Sequence, residues 1–406
     1  MKKIFMVCYG GGHAEIIKEV YKNLIDIPNI QIVILALTMS KYIFDRENIP
    51  YKQISDYYDE ENEKEIYSLG KNFCIKNNID TSIGEKETYL YHGYSLFELE
   101  KKYGEKKAYE GFKKLGRRIF LPLSFMKKII EKEMPNLVIT TNSPRFERAA
   151  LIVSKEMGIK TLSIEDLFGV INERISKEIV NFFNDKIYEN VYGDYLCIIS
   201  EESKKNLLFS KVNKVFITGN PSFDKALKLF LSGGSKEEVK DITICFLSQN
   251  RPEKFLLIEE LVKIIERKSN YNLIIKIHPN EKKEEYLKKL NKKIDKVIVE
   301  DSNLYTNILR SNIIITIDST SALEAAVLDK PIIAKRNDLI PFKEMNLGME
   351  YENIDELEGM IEKILNDKKV KEDLSNGRKM FRPKRFAGKT IKEIVKNIIL
   401  NMLLIK

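Results

Sequence analysis

Apolar positions along the chain follow two rhythms. Unbroken runs of Ile, Val and Leu recur at residues 3–8, 31–37, 137–141, 161–164, 195–199 and 215–218. Runs that do not alternate with polar residues suit strands buried on both faces of a parallel sheet. Between some of them the apolar spacing changes to three and four. Ile16, Ile17, Val20 and Leu24 then share one face of a helix over 14–25. Residues 40–47 read as the next helix, and another lies near 145–157. The alternation starts afresh with strands at 242–247, 273–277, 297–299, 313–317 and 332–334. Helices fall among them at 254–268, near 281–290 and from Ala322. Repeated strand–helix units imply right-handed crossovers and doubly wound α/β sheets.

Ser232-Gly233-Gly234-Ser235, followed by a charged stretch, reads as a linker between the two alternations. The expected organisation is an N-terminal Rossmann-like domain over 1–231 and a C-terminal one over 232–387. A hinge between them implies a cleft. A last helix over 388–404 carries Ile391, Ile394, Val395, Ile398 and Ile399 at helical spacing, and residues 388–406 are expected to pack back across the hinge. Residues 51–133 break the rhythm. They are charged and tyrosine-rich, with helical stretches at 96–115 and 119–131, and read as a helical insertion that shapes an acceptor-side wall.

Composition narrows the class. The 406 residues and 47.3 kDa suit two or three domains. A 43% hydrophobic and 32% charged chain excludes disorder and collagen-like fibres. No apolar run approaches the roughly 18 to 20 residues of a membrane span. The apolar stretch after Met1-Lys2-Lys3 is too short for a signal peptide, so a soluble cytoplasmic protein is expected. Cys8, Cys74, Cys197 and Cys245 lack CxxC spacing and read as buried thiols in a reducing compartment. With three histidines, His13, His92 and His278, a His-rich metal centre is not expected. The net charge is +8, and residues 368–396 alone hold eleven basic and three acidic residues. There is no basic stripe with aromatic platforms, so nucleic acid is not an expected partner. Anionic lipid or phosphorylated ligands fit better, with a peripheral contact on the inner membrane face.

In an open α/β sheet, ligands gather beyond the carboxyl ends of the strands. The first strand delivers Gly10-Gly11-Gly12-His13, where small residues admit a ligand and His13 can act as base or donor. Later strands deliver Asn142 with Ser143-Pro144-Arg145, then the adjacent carboxylates Glu165 and Asp166, candidates for a general base. The first half ends in Gly219-Asn220-Pro221. In the second half, Ser248-Gln249-Asn250-Arg251 offers a hydroxyl, amides and a guanidinium suited to a diphosphate. His278 follows a strand, and Pro279 fixes the turn that aims it. Asp318-Ser319-Thr320-Ser321 places three hydroxyls before a helix, a phosphate cradle, with Glu324 one turn inside to accept ribose hydroxyls or cap the helix.

The paired α/β halves, the glycine turn, His278-Pro279, and Asp318-Ser319-Thr320-Ser321 with Glu324 and Pro331 resemble GT-B glycosyltransferases. The pattern is similar to that of bacterial capsule and lipopolysaccharide enzymes with an HP motif and a later Ser/Thr motif. Bacterial sialyltransferases, Kdo transferases and CDP-glycerol glycerophosphotransferases belong to that group. The resemblance implies two Rossmann-like domains facing a cleft. It also implies that His278, Ser319 and Thr320 contact the nucleotide phosphate of a donor, and that Glu324 holds the ribose. Gly12-His13-Ala14-Glu15-Ile16-Ile17-Lys18 looks like the first-loop motif of the non-hydrolysing UDP-GlcNAc 2-epimerases, which share this fold. Thr218-Gly219-Asn220 looks like their interdomain motif, and Ile164-Glu165 stands where they have a catalytic glutamate. Where those epimerases place a histidine after the first strand of the second domain, this chain has Ser248-Gln249-Asn250-Arg251. A neutral amide does no acid/base work.

The expected activity is inverting, metal-independent transfer of a sugar from a CMP-, CDP- or UDP-linked donor to a capsule or lipopolysaccharide acceptor, as glycan or lipid-linked glycan. No DxD motif stands on a suitable loop, and no cofactor is expected. Ser248, Gln249, Arg251, His278, Pro279, Ser319, Thr320, Ser321, Glu324, Gly219 and Asn220 would serve the donor. Gly10, Gly11, Gly12 and Asn142 would line the acceptor side, and the base would be Glu165, Asp166 or His13. The alternatives are a UDP-GlcNAc 2-epimerase or nucleotide-sugar hydrolase, and a scaffold that binds nucleotide sugar without turnover.

Overall fold

The computed structural model describes the chain except for Ser143 and residues 208–211, 213, 234–240, 291–294 and 405–406. Gly234 and Ser235 of the expected linker therefore lie outside the described residues. The chain divides into two compact units, Met1–Ser222 with Arg385–Lys406, and Phe223–Lys384.

The first unit is built on six parallel strands: β1 (Lys2–Cys8), β2 (Ile30–Ala36), β3 (Leu137–Thr141), β4 (Lys160–Ile164), β5 (Tyr195–Ile198) and β6 (Lys214–Ile217). Their order across the sheet is β2-β1-β3-β4-β5-β6. Successive side chains of β1 leave on opposite faces, and both faces are covered. Ile4, Met6 and Cys8 pack with the helix Gly12–Leu24 and with Ile391, Ile394, Val395 and Ile398 of the last helix, Ala387–Leu404. Each such fully buried side chain contributes about 1.5–3 kcal/mol of transfer free energy.

Phe5 and Val7 face the other way, into an aromatic layer supplied largely by the 51–133 segment, including Phe73, Tyr94, Phe120 and Phe125. That segment contains the helices Lys64–Lys76, Glu85–Tyr103, Glu105–Leu115 and Leu123–Glu133. The expected continuous helix over 96–115 is instead broken at Gly104, where φ is +80°. Two of these helices touch through their backbones. A Cβ on Gly70 would lie 1.8 Å from the Tyr89 carbonyl oxygen, and one on Gly93 would lie 2.1 Å from that of Ile66. No larger residue fits at this crossing.

The second unit repeats the plan with β7 (Ile242–Leu247), β8 (Tyr271–Lys276), β9 (Val297–Glu300), β10 (Ile313–Thr316), β11 (Ile332–Lys335) and β12 (Gly348–Tyr351). All pair in parallel, in the order β12-β11-β10-β7-β8-β9. The apolar runs announce β7 to β11. The edge strand β12, with the sequence Gly-Met-Glu-Tyr, has no such run and is visible only in the structure. Helices Leu357–Asn366 and Lys368–Phe381 follow it.

Part of the basic excess near the end of the chain is used internally. Arg378 Nε and Arg382 Nη2 lie 3.0 and 3.4 Å from Asp329 Oδ1. All four cysteines are free and buried, three of them on β1, β5 and β7. Among the described residues, no helix is long and apolar enough to cross a membrane.

Candidate active site

In the first unit, β1 runs out into Gly10-Gly11-Gly12-His13, and the helix Gly12–Leu24 starts at once. His13 Nε2 lies 3.8 Å from Asp166 Oδ2, and the two side chains are 19% and 24% exposed. His13 Nδ1 is buried and has no hydrogen-bond partner among the described residues. Asp166 is the second residue past the end of β4, and its carbonyl accepts a bond of 3.1 Å from Asn220 Nδ2. Asn220 is itself fixed, because its Oδ1 accepts the Ser222 backbone N–H and hydroxyl at 2.9 and 2.8 Å. Gly219, with φ +80°, lets the chain turn after β6 while its N–H bonds to the Ile198 carbonyl. Gly219 and Asn220 thus belong to the carboxylate edge of this unit.

Glu165 has a different setting. It is fully buried, and Asn142 Nδ2 donates to its Oε2 at 2.5 Å. Asn172, on the helix Val170–Phe183, reaches both oxygens at 3.3 and 3.4 Å and also donates to the Asn142 carbonyl at 2.9 Å. Asn142 is therefore a holder of Glu165. Asn172 escapes a sequence reading, since nothing marks one asparagine within a helix. A second buried carboxylate, Glu147, accepts the Tyr9 N–H at 2.7 Å through Oε1. Arg145, next to it, has φ +80° and ψ −134°, a backbone strain of about 1–3 kcal/mol for a residue with a side chain.

In the second unit, β10, β7 and β8 are neighbours, so their exits share one edge of the sheet. Ser248, after β7, shares a 2.6 Å hydrogen bond with the Tyr286 hydroxyl. Gln249 Oε1 accepts the Asp318 N–H at 2.9 Å. Arg251 grips Asp318 with two nitrogens, Nε to Oδ1 at 3.2 Å and Nη2 to Oδ2. The guanidinium expected to meet a diphosphate is thus already paired with a carboxylate.

After β8, the His278 N–H bonds to Glu281 Oε2 at 2.9 Å, while Lys254 Nζ takes Glu281 Oε1 at 2.7 Å. His278 Nδ1 accepts the Asn280 N–H at 3.2 Å, which puts the proton of a neutral ring on Nε2. Burial, assisted by Lys276, lowers the pKa of this imidazole against the opposing pull of Glu281. Pro279 follows in the exposed turn.

After β10, Ser319 Oγ accepts the Ser321 N–H at 3.3 Å. The hydroxyls of Thr320 and Ser321 make no hydrogen bond among the described residues. Glu324, expected at a ribose, takes the Tyr305 hydroxyl on Oε2.

Among solved structures, the chain is similar over nearly its whole length to S. aureus MnaA in a co-structure with UDP. The match has 14% identity and a TM-score of 0.64, and covers 98% of this chain and 97% of that one. It is similar to UDP-GlcNAc 2-epimerase from Neisseria meningitidis bound to UDP-GlcNAc, at 14% identity and a TM-score of 0.63, covering 98% and 100%. It is also similar to MurG from Acinetobacter baumannii, at 12% identity and a TM-score of 0.59, covering 98% and 100%. The chain has the GT-B fold. No protein-family model and no curated protein sequence matches it.

Within this GT-B chain, the two adjacent carboxylates are unlike. Burial, with the neighbouring Asp166 charge, pushes Glu165 up to about 8, against the amides of Asn142 and Asn172. Glu165 is therefore held largely protonated at neutral pH, and Asp166 is the carboxylate with solvent access. A carboxyl whose folded pKa is raised binds its proton more tightly in the folded state. Its contribution is then favourable below the unfolded pKa and is lost as pH rises toward the folded one. Replacing Glu165 with Gln keeps an acceptor for both asparagines and removes the titration. The wild type should lose stability relative to the E165Q variant between pH 5 and pH 8 in urea titrations. Curves that stay parallel across that range would refute the buried, protonated assignment.

Proposed function

We propose that this GT-B chain is a metal-independent transferase that moves a sugar from a nucleotide-activated donor to a hydroxyl of a bacterial surface glycan. The observation that carries the reading is the accessible Asp166–His13 pair at the carboxyl edge of the first sheet. Asp166 accepts the proton of the acceptor hydroxyl and His13 stabilises the charge that passes through it. Glu165 acts as a positioning residue. Donor phosphates fall to the second unit, where His278 Nε2 and the uncommitted hydroxyls of Thr320 and Ser321 are donors on one sheet edge. Full-length similarity to UDP-GlcNAc 2-epimerases favours a second reading, isomerisation of a UDP-sugar with no acceptor.

Ligand binding raises thermal stability by mass action, so titration with CMP, CDP, UDP and GDP identifies the base. One nucleotide should stabilise the wild type. His278→Ala should weaken its binding roughly 10- to 100-fold, the loss of one hydrogen bond to a charged group. Wild-type affinity in that variant would remove His278 from the donor site. Incubation with UDP-GlcNAc alone separates the two activities. Isomerisation or sugar release supports the second reading, and inertness followed by turnover with a glycan acceptor supports the first.

A further inference from the structure

The second unit has a cavity for which the chemistry above has no use. Its volume is about 620 Å³, within the roughly 300–1,000 Å³ of small-molecule sites. Ile242 and Tyr271, the first residues of β7 and β8, line it with Asn312 and Pro331, which stand just before β10 and β11. The cavity therefore sits at the amino edge of the second sheet, opposite the loops that carry Ser248, His278 and Asp318.

A further wall is one face of the helix Lys368–Phe381. Lys371, Leu374, Ser375 and Arg378 all line the cavity, and positions three, four and seven apart stack on one side of a helix. Two turns, about 10.5 Å, separate the Lys371 and Arg378 backbones, a span that the two long side chains can close around one phosphate group, with Ser375 between them. The helix is seated firmly. A Cβ on Gly377 would lie 2.2 Å from the Asn346 carbonyl oxygen.

The cavity lining includes two cations and no carboxylate. Lys371 is exposed, and its side chain makes no ion pair or hydrogen bond among the described residues. Arg378 is only 6% exposed. Its Nε is committed to Asp329 at 3.0 Å, but its Nη1 is buried with no hydrogen-bond partner among the described residues, an uncommon state for a charged donor. Asp329 is shared with Arg382 at 3.4 Å, so one carboxylate faces two guanidiniums and a positive charge is left over. Nearby acids are occupied. Asp367 Oδ1 caps the helix through the Lys369 and Val370 N–H groups. Glu358 and Glu362, whose charges reach Tyr271, pair with Arg267 and Lys268. Asn312 Oδ1 takes the Thr243 N–H at 2.8 Å, which leaves its amide nitrogen as a donor, and Asn270 adds a second amide.

We propose that this cavity binds a phosphorylated sugar: Lys371, Ser375 and Arg378 hold the phosphate, and the amides of Asn270 and Asn312 take sugar hydroxyls. The site belongs to the second unit alone and does not rest on the transferase reading.

Calorimetric titration of the full chain with glucose 1-phosphate, glucose 6-phosphate, glucose and inorganic phosphate tests this. At least one sugar phosphate should bind, glucose should not, and inorganic phosphate should bind at least about tenfold more weakly, having lost the hydroxyl contacts. Lys371→Gln, on an exposed side chain, should weaken the sugar phosphate roughly tenfold or more, the loss of one hydrogen bond to a charged group. Arg378→Lys, which keeps a cation for Asp329 and removes Nη1, should do the same. Ser375→Phe puts a ring into the cavity and should abolish binding. No binding of either sugar phosphate, equal binding of glucose, or wild-type affinity in both K371Q and S375F would each overturn the site. Equal affinity for inorganic phosphate would reduce it to an adventitious ion only. Binding lost in H278A and kept in K371Q would move the phosphate to the HP turn and overturn the cavity as its site.

Discussion

Asp166→Asn slows turnover by about 10²- to 10⁴-fold, the usual worth of a positioned general base. The substitution is close to isosteric. It keeps the backbone carbonyl that Asn220 holds at 3.1 Å and leaves His13 in place. What it removes is the proton acceptor that the proposed transferase reading assigns to this position. Nucleotide-induced stabilisation, which on the proposed reading reports the second unit's own loops, should therefore be the same in D166N and the wild type. A merely structural aspartate would instead lower stability and leave kcat near its starting value.

Glu165→Gln is the internal control, because Glu165 is fully buried between Asn142 and Asn172 and has no route to a substrate hydroxyl in this arrangement. If E165Q abolishes turnover and D166N retains it, the roles of the two neighbours are exchanged. His13→Ala should cost less than D166N, since it removes a charge partner at 3.8 Å and not the base itself.

How much of this was legible beforehand depends on what each feature needs. Buried strands need only local chemistry. The continuous run Ile-Thr-Ile-Cys-Phe-Leu over 242–247 marks β7 at both ends, because a strand covered on two faces must be apolar throughout. Its edge counterpart β12 needs no such run and gave no signal. The loops after the strands could likewise be named, since ligands gather at carboxyl ends.

Partnership within the loops could not be read. Arg251 and Asp318 are 67 positions apart, and only the β7–β10 pairing makes them neighbours. Distinguishing Glu165 from Asp166 is also a three-dimensional matter. The fold buries one of two adjacent carboxylates among amides and leaves the other partly exposed beside an imidazole. The same applies to the cavity at the amino edge of the second sheet, whose lining comes from four strand starts and two helices.

The second large effect is on stability. Lys254 and Glu281 form an ion pair at 2.7 Å with side chains only 7% and 2% exposed. Lys254 Nζ also lies 5.0 Å from the rings of Phe255 and Tyr286. Lys254→Met removes one charge and leaves the other in a low-dielectric setting, which should cost about 3–5 kcal/mol. Converting Glu281 to Gln in the same chain neutralises the stranded carboxylate. The double variant should then be more stable than K254M alone, a non-additivity that a double-mutant cycle in urea reads directly.

The pH dependence has a definite sign. Burial works against ionised Glu281, but the Lys254 bond, the His278 N–H and the Tyr286 hydroxyl together hold its pKa below the ordinary carboxylate value. A depressed carboxyl stabilises the fold above its unfolded pKa and loses that contribution as pH falls through its folded pKa. K254M should flatten this acid limb. Because Glu281 also fixes the His278 backbone at 2.9 Å, K254M should weaken nucleotide binding as well, although Lys254 itself need not touch the ligand. Full nucleotide affinity with the large stability loss would uncouple the buried pair from the HP turn, and a loss below about 1 kcal/mol would place the pair in water.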